Sequence, residues 1–298
     1  MEALITEGLL PFGMFALMTG MGLTLSIDDF RRTAEAPRAV VLGTVLQLLV
    51  MPLAGIAFAL AFELPPLLAA GLVIIAACPG GMFSNVFVHV ARANTVLSVT
   101  LTATATMVTL ITLPLWVRGT LALLGEGGAG VEMPILGTAL SLMGLTVVPV
   151  LLGMWVRIRR PHLYRFERHL TRFGFVSIVI GATVDALSRP ELPVDAFQAT
   201  LVPALGLALG AIALGLGVAG AFRLALRDVV TLTVELVIKN SLLGLVVART
   251  SLDFEATLPI IAFATAQTPA GLLLLVAWWY LGGGRHQPRH GLAVPEKR

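Results

Sequence analysis

Long apolar segments alternate with short polar loops along most of this chain. A helix needs about 20 mostly apolar residues to cross a bilayer, and segments of that length recur from the first residues almost to the last. We therefore expect an all-α polytopic membrane protein with nine transmembrane helices. The expected spans lie near 6–26, 38–62, 66–91, 95–117, 134–156, 172–188, 197–222, 229–248 and 257–281.

The composition agrees with a membrane protein. Of the 298 residues, 57% are hydrophobic and 12% are charged, whereas soluble domains have about 25% charged residues. The single cysteine, Cys78, excludes an intramolecular disulfide and a cysteine-rich metal site. Glu2 and Glu7 stand where a signal peptide would carry basic residues, so we expect the N-terminus to begin a retained span.

Arginine and lysine are unevenly divided between the loops. They follow the first, third, fifth and seventh spans and the ninth, whereas the alternate loops contain only Arg118, Arg189 and Arg249. Basic loops stay in the cytoplasm, so we expect the N-terminus outside and the C-terminal tail, 282–298, inside. The expected location is the inner (plasma) membrane. Basic residues in short loops between spans indicate the orientation of the protein in the bilayer, so no nucleic-acid partner is expected.

Two of the apolar spans are interrupted by polar residues. The third contains Cys-Pro-Gly-Gly followed by Ser84 and Asn85, and the eighth contains Glu235 and Lys239. Proline and glycine interrupt helices, and backbone freed at membrane depth lines a cavity or an ion site. The two spans run in opposite directions, so pairing helices 1–4 with helices 6–9 gives an inverted repeat with helix 5 as the link. Such paired interruptions are typical of transporters.

Oxygen-bearing side chains cluster around these interruptions. Hard cations such as Na⁺ take oxygen ligands, and Ser98 and Thr102, four residues apart, project from one face of the fourth span. Either hydroxyl could instead bond to a carbonyl of its own helix. We expect a sodium site supplied by the third, fourth and eighth spans. Its predicted ligands are Ser84, Asn85, Ser98, Thr102 and Glu235.

Other polar residues inside spans allow more than one interpretation. Lys239, four residues after Glu235, is either a cation that balances it in the site or half of an ordinary helical ion pair. Gln47 is equally suited to a site and to a hydrogen bond between helices. Asp185 and Arg189, also four apart, predict a surface ion pair at the end of the sixth span.

The motifs resemble those of the bile acid:sodium symporter family. The resemblance implies a secondary active transporter, not an enzyme, in which a core of about 66–118 and 197–281 moves against a panel of about 1–62 and 134–190. Helices 3 and 8 would be broken and cross in the core. The residues that carry the resemblance are Cys78-Pro79-Gly80-Gly81, Ser84-Asn85-Val86, Leu97-Ser98-Val99, Thr102, Gln47 near Met51-Pro52, and Glu235 to Ser241.

The resemblance also implies two sodium sites. The five oxygen-bearing residues above match the first site. The second would use Gln47, Glu235, the carbonyls of Leu236 and Ile238, and a glutamine that is Lys239 here. An ammonium has donors and no acceptor, so we expect Lys239 to replace the second sodium, pairing with Glu235 and donating to Gln47. Transport would use one Na⁺ per cycle, with H⁺ as a second coupling ion if Lys239 titrates.

The substrate implied by the resemblance is an organic anion, such as a bile acid or a small carboxylate. Backbone N–H groups at a broken helix favour a carboxylate or a sulfate. Candidate substrate contacts are Asn240, Gln267, Thr268, Met82 and Phe83. The alternative functions are an ion-independent facilitator or channel for organic anions, an intramembrane enzyme, and an arsenite-type exporter. No zinc or phosphate-loop motif supports the enzyme.

Overall fold

The computed structural model describes residues 8–25, 37–124, 140, 143–188 and 193–281. This part of the chain is helical and contains no β-strand. The α-helices are α1 Leu10–Thr24, α2 Pro37–Val45, α3 Met51–Ala61, α4 Pro66–Ala77, α5 Met82–Val90, α6 Thr95–Leu124, α7 Val148–Arg159, α8 Glu167–Leu187, α9 Val194–Phe222, α10 Leu226–Val237, α11 Ser241–Ser251 and α12 Leu258–Tyr280. Short segments of other helix types occupy Leu46–Val50, Met143–Val147, Pro161–Phe166 and Glu255–Thr257.

Several helices have the length and apolarity of membrane spans. Four described segments qualify outright, and a fifth qualifies if the bent α6 counts as one span. Helices α1, α4 and α11 are apolar but shorter. The chain is thus a multi-pass helical membrane protein, while the number nine stays a prediction, since the first part of the expected fifth span lies largely outside the described residues. The four segments are Arg38–Ala61, Pro161–Leu187, Val194–Val218 and Glu255–Tyr280.

Two irregularities within spans have local causes. Helix α6 bends by 58° between Thr109 and Ile111. Pro114 lacks the N–H that would bond to the carbonyl four residues earlier, and its ring crowds that carbonyl, so a bend is expected there. Between α2 and α3 the chain forms a single π-helical turn, Leu46–Val50, which contains Gln47. Such π-turns are rare and often accompany functional sites.

Both expected interruptions are present. Helix α4 ends at Ala77 and α5 begins at Met82, and α10 ends at Val237 while α11 begins at Ser241. The two extended segments pair with each other: Gly80 and Lys239 form an isolated antiparallel bridge. The Asn240 N–H of one break donates to the Pro79 carbonyl of the other at 2.9 Å, and the Gly80 and Lys239 N–H groups donate to the side chains of Gln47 and Gln267. Buried backbone at both breaks is thus hydrogen-bonded, as a hydrocarbon environment requires.

The helices pack in two groups. One, here called the three-helix group, consists of α1 packed against α7 and α8. The other, the larger group, consists of α2 to α6 and α9 to α12, with α4 buried at its centre. The main contacts between the groups are made by α1 and α8 with α11, and by α6 with the turn Met143–Val147.

The assignment of the second span to a moving panel stays a prediction, although the span packs within the larger group. Residues 37–61 were assigned to the panel with the first span. In the structure α2 and α3 make their main contacts with α4, α6 and α9. Trp116 of α6 adds a hydrogen bond, from Nε1 to the Leu48 carbonyl at 3.0 Å. The second span therefore belongs to the larger group. Sequence did not reveal this because its apolar residues lie all around the helix and indicate no preferred neighbour.

Candidate cation and substrate site

The carboxylate of Glu235 lies at the centre of a cluster of oxygen atoms that is buried except at Asn85, which is partly exposed. Its Oε1 is 2.8 Å from Ser84 Oγ and 2.5 Å from Ser98 Oγ, and its Oε2 is 3.1 Å from Thr102 Oγ1. Ser98 Oγ is also 2.7 Å from Asn85 Oδ1. All five residues predicted as sodium ligands are thus brought together, from α5, α6 and α10.

The cluster contains more acceptors than hydrogens. Ser84 Oγ is close to Glu235 Oε1 and to the Gly81 carbonyl, at 2.6 Å, and Ser98 Oγ is close to Glu235 Oε1 and Asn85 Oδ1. Each hydroxyl has a single hydrogen, so two hydrogens serve four short oxygen contacts. A proton on Glu235 would supply one more hydrogen, whereas a bound cation would attract all of these oxygen atoms at once. This set of oxygen atoms therefore suits a hard cation as its ligand shell.

Ser98 and Thr102 reach Glu235 because they share one face of α6. The alternative, in which each hydroxyl bonds to its own helix, describes a neighbour instead: Thr106 Oγ1 donates to the Thr102 carbonyl at 2.7 Å. That back-bond is the usual arrangement for threonine in an apolar helix. Thr102 itself is directed to the carboxylate because a charged acceptor makes the stronger hydrogen bond.

Gly80 allows the two breaks to approach each other closely. A Cβ at this position would overlap Glu235 Oε2 and would lie 3.0 Å from Ser84 Oγ. The Gly80 N–H donates to Gln47 Oε1 at 3.2 Å, and the Asn240 N–H donates to the Pro79 carbonyl at 2.9 Å. The glycine therefore lets the carboxylate of one break lie directly against the backbone of the other.

Lys239 lies beside this cluster without a hydrogen-bond partner for its ammonium. In the described part of the chain, the buried polar side-chain atoms without such a partner are Thr44 Oγ1, Gln47 Nε2 and Lys239 Nζ. Lys239 lies past the end of α10, so the simple helical ion pair with Glu235 is not formed. The hydrogen bond expected from Lys239 to Gln47 is also not formed in the structure, where the Gln47 oxygen accepts from the Gly80 N–H.

The predicted substrate contacts have varied surroundings. Gln267 Oε1 accepts from the Lys239 N–H and its Nε2 donates to Ser241 Oγ, both at 2.8 Å. Asn240 caps α11, with Oδ1 accepting from the Leu243 N–H at 3.1 Å. These two amides thus support the break in the eighth span, and their role as substrate contacts stays a prediction.

The remaining candidates include two exposed residues. Thr268 is exposed on α12. Phe83, at the start of α5, is 55% exposed, and its ring makes an edge contact with Phe175 of α8, with centroids 6.2 Å apart. The side chain of Met82 lies outside the described part of the structure.

Sequence analysis missed one buried ion pair. Asp185 was expected to pair with Arg189 at the surface, but it binds Arg249 of α11, and both side chains are only 7% exposed. Arg189 lies outside the described residues. The available signal was that Asp185 and Arg249 are isolated charges near the ends of apolar helices. Spacing favoured the local partner, whereas the actual one is 64 residues away.

Comparison with known proteins gives consistent matches. Residues 11–188 match the model of the sodium bile acid symporter family. The chain is 30% identical over 239 residues to the probable chloroplastic sodium/metabolite cotransporter BASS1 of Arabidopsis thaliana, covering 79% of this chain and 58% of that protein. Over 264 residues it is 27% identical to the uncharacterized sodium-dependent transporter YocS of Bacillus subtilis, covering 88% and 80%.

A human relative matches over a shorter region. The ileal sodium/bile acid cotransporter is 29% identical over 199 residues, covering 65% of this chain and 57% of that protein. The chain thus spans somewhat more than half of the length of the plant and human relatives. The family consists of sodium-coupled transporters and not of enzymes. Since the family model covers more than half of the chain, this protein belongs to the sodium bile acid symporter family.

Proposed function

We propose that this protein is a secondary active transporter that couples the movement of an organic anion to one Na⁺ bound at Glu235. The observation that carries the proposal is the excess of acceptors in the buried cluster, where two serine hydrogens serve four short oxygen contacts. The names of the plant, Bacillus and human relatives describe sodium-dependent transport or sodium cotransport, which supports the same ion.

Transport would proceed by alternating access. In this proposal the larger group is the core, including residues 37–61, and it moves against the three-helix group. The distribution of arginine supports an orientation with the N-terminus outside and the C-terminus in the cytoplasm. Names of relatives favour a bile acid or a small metabolite as the class of substrate.

Uptake into proteoliposomes tests this proposal. Purified protein would be assayed with radiolabelled taurocholate, pyruvate and pantoate, each with an inward Na⁺ gradient or an equal K⁺ gradient. We expect at least one anion to accumulate only with Na⁺, and Glu235→Gln to abolish that accumulation. Uptake that is equal in Na⁺ and K⁺ and that survives Glu235→Gln would instead identify an ion-independent facilitator.

We further propose that the Lys239 ammonium takes the place of a second sodium. Three features support it. By the family resemblance, relatives with two sodium sites have a glutamine at the position of Lys239. Lys239 Nζ is buried, and the Lys239 backbone bridges to Gly80, which donates to Gln47. A fixed positive charge beside Glu235 would repel a second cation. One Na⁺ would then move per cycle, and a proton would move as well if Lys239 releases one.

The substitution Lys239→Gln tests whether Lys239 replaces a second sodium and whether it also carries a proton. We expect the Hill coefficient for sodium to rise from about 1 towards 2, because a neutral acceptor replaces the ammonium. If wild-type uptake also responds to an imposed proton gradient and the variant does not, then Lys239 carries the proton. An unchanged sodium titration in the variant would refute the replacement of a second sodium by Lys239.

A further inference from the structure

A buried ion pair joins the two helix groups. Arg249 Nε donates to Asp185 Oδ2 at 2.6 Å, and Arg249 Nη2 donates to Asp185 Oδ1 at 3.1 Å. Each residue lies two positions before the end of its helix, Asp185 in α8 and Arg249 in α11. This two-point contact between a planar guanidinium and a carboxylate fixes both separation and orientation.

The pair lies where the two groups are closed against each other. Both α1 and α8 contact α11, and the inner face of α11 is buried. At the other broken helix the packing is looser: Phe83 on α5 touches Phe175 of α8, but Val86 and Val90 on the same helix are about half exposed. The two groups are therefore packed more tightly at the Arg249 end of α11 than along α5.

Burial makes the pair a two-state contact. Charges that are paired and almost dry are stable only while both partners remain in place, and a partly separated pair would leave each charge without water or partner. Separation of α8 from α11 therefore has to proceed until water reaches both groups. A pair of this kind inside one rigid group would never open, but this one crosses the boundary between groups that the proposed transport cycle moves apart.

We propose that Asp185 and Arg249 form a latch that seals the predicted outer side of the transporter and must open once per cycle to admit sodium and substrate. The inference rests on the proposed alternating-access function, and it adds two positioning residues that touch neither ion nor substrate. The latch sets the balance between the two states, so weakening it shifts the protein towards the outward-open state.

Labelling of an introduced cysteine tests the latch without any substrate. Leu245 lies four residues before Arg249, on the same face of α11, and is half-buried. The reporter substitution is Leu245→Cys, and its labelling by a membrane-impermeant maleimide would be timed in purified protein. The same measurement on protein without the reporter gives the background, because its only cysteine, Cys78, is buried.

Three variants are compared in the reporter protein. Asp185→Asn removes one charge of the latch, and the exchange Asp185→Arg with Arg249→Asp restores a pair of reversed polarity. Asp228→Asn is the matched control, because the Asp228 carboxylate accepts from Asn94 Nδ2 at 2.8 Å inside the larger group. We expect Asp185→Asn to raise the labelling rate at least fivefold, the exchange to return it towards wild type, and Asp228→Asn to leave it unchanged.

The outcomes distinguish a latch from a purely structural pair. If Asp185→Asn lowers the melting temperature but leaves the labelling rate unchanged, the pair only stabilises the fold and the latch is refuted. If the charge exchange labels as fast as the single variant, pairing is not what seals the site, and the latch is again refuted. The labelling assay needs neither sodium nor substrate, so it tests the latch independently of uptake. If labelling responds to the variants as expected but no sodium-driven uptake is found, the latch stands and only the transport function is refuted.

Discussion

Replacing Glu235 by glutamine is the sharpest test of the cation site. The substitution keeps the size of the side chain and removes the only carboxylate of the cluster. Two unit charges about 4 Å apart attract by about 4 kcal/mol at an effective dielectric constant of about 20. Loss of that attraction corresponds to a sodium dissociation constant roughly a thousandfold higher. Glu235→Gln should therefore bind no measurable sodium in the physiological range.

The melting temperature reports this loss directly. A ligand that binds only the folded protein stabilises it by about 2.7 kcal/mol when its concentration is a hundredfold above the dissociation constant. For a chain of this size that corresponds to a rise of roughly 4 °C. Wild-type protein and Glu235→Gln would be melted over a range of NaCl, with KCl holding the ionic strength constant. Glu255→Gln, which removes an exposed carboxylate, is the matched control.

Each result has a definite meaning. We expect a sodium-specific rise in wild type and in Glu255→Gln, and no difference between sodium and potassium in Glu235→Gln. A sodium-specific rise in Glu235→Gln equal to that of wild type would refute the assignment of the site. The same rise in NaCl and KCl for all three proteins would refute sodium specificity itself.

Three further substitutions test single contacts. Thr102→Val keeps the shape and removes a hydroxyl, so the sodium dissociation constant should rise about tenfold, as expected for one lost contact to a charged group of about 1.5 kcal/mol; an unchanged melting shift with sodium would exclude Thr102 as a ligand. Gly80→Ala should destabilise by about 1 to 3 kcal/mol because its Cβ overlaps Glu235, whereas Gly119→Ala, with open space around it, should not; equal melting temperatures would contradict the close approach. Gln267→Ala should lower the melting temperature without substrate, since a buried backbone N–H loses its acceptor at a cost of about 1 to 3 kcal/mol; a change in substrate KM alone would make Gln267 a substrate contact.

Sequence sufficed for the parts of the site that depend on local rules. The Cys-Pro-Gly-Gly segment cannot continue a helix, and the four-residue spacing of Ser98 and Thr102 places their hydroxyls on one face. A lone carboxylate in an apolar span, Glu235, then identifies where those hydroxyls converge. Such features need no knowledge of which helices are neighbours, and the structure contains all of them.

Contacts between distant segments could not be obtained in this way. The partner of Asp185 was chosen by spacing along one helix, but a helix end packed against another helix offers a closer and drier partner in Arg249. Lys239 was expected to bond with Gln47 because both belong to one cation site. In the structure the Gln47 oxygen accepts from Gly80, and Lys239 Nζ has no hydrogen-bond partner. Tertiary packing, which no spacing rule contains, determines both results.

The meeting of the two breaks also indicates where cation and anion separate. Helices α4 and α10 end there, and α5 and α11 begin there. A helix C-terminus attracts a cation and an N-terminus attracts an anion, and Glu235 lies in the last turn of α10. The first turn of α11 is already capped by the Asn240 side chain. The N-cap of α5, by contrast, is Gly81, which has no side chain to accept those N–H groups. The carboxylate of the proposed anionic substrate should therefore bind at the start of α5, beside the exposed Phe83. The substitution Gly81→Ser adds a hydroxyl that competes for the same N–H groups. It should weaken uptake of the anion more than it weakens the rise in melting temperature with sodium.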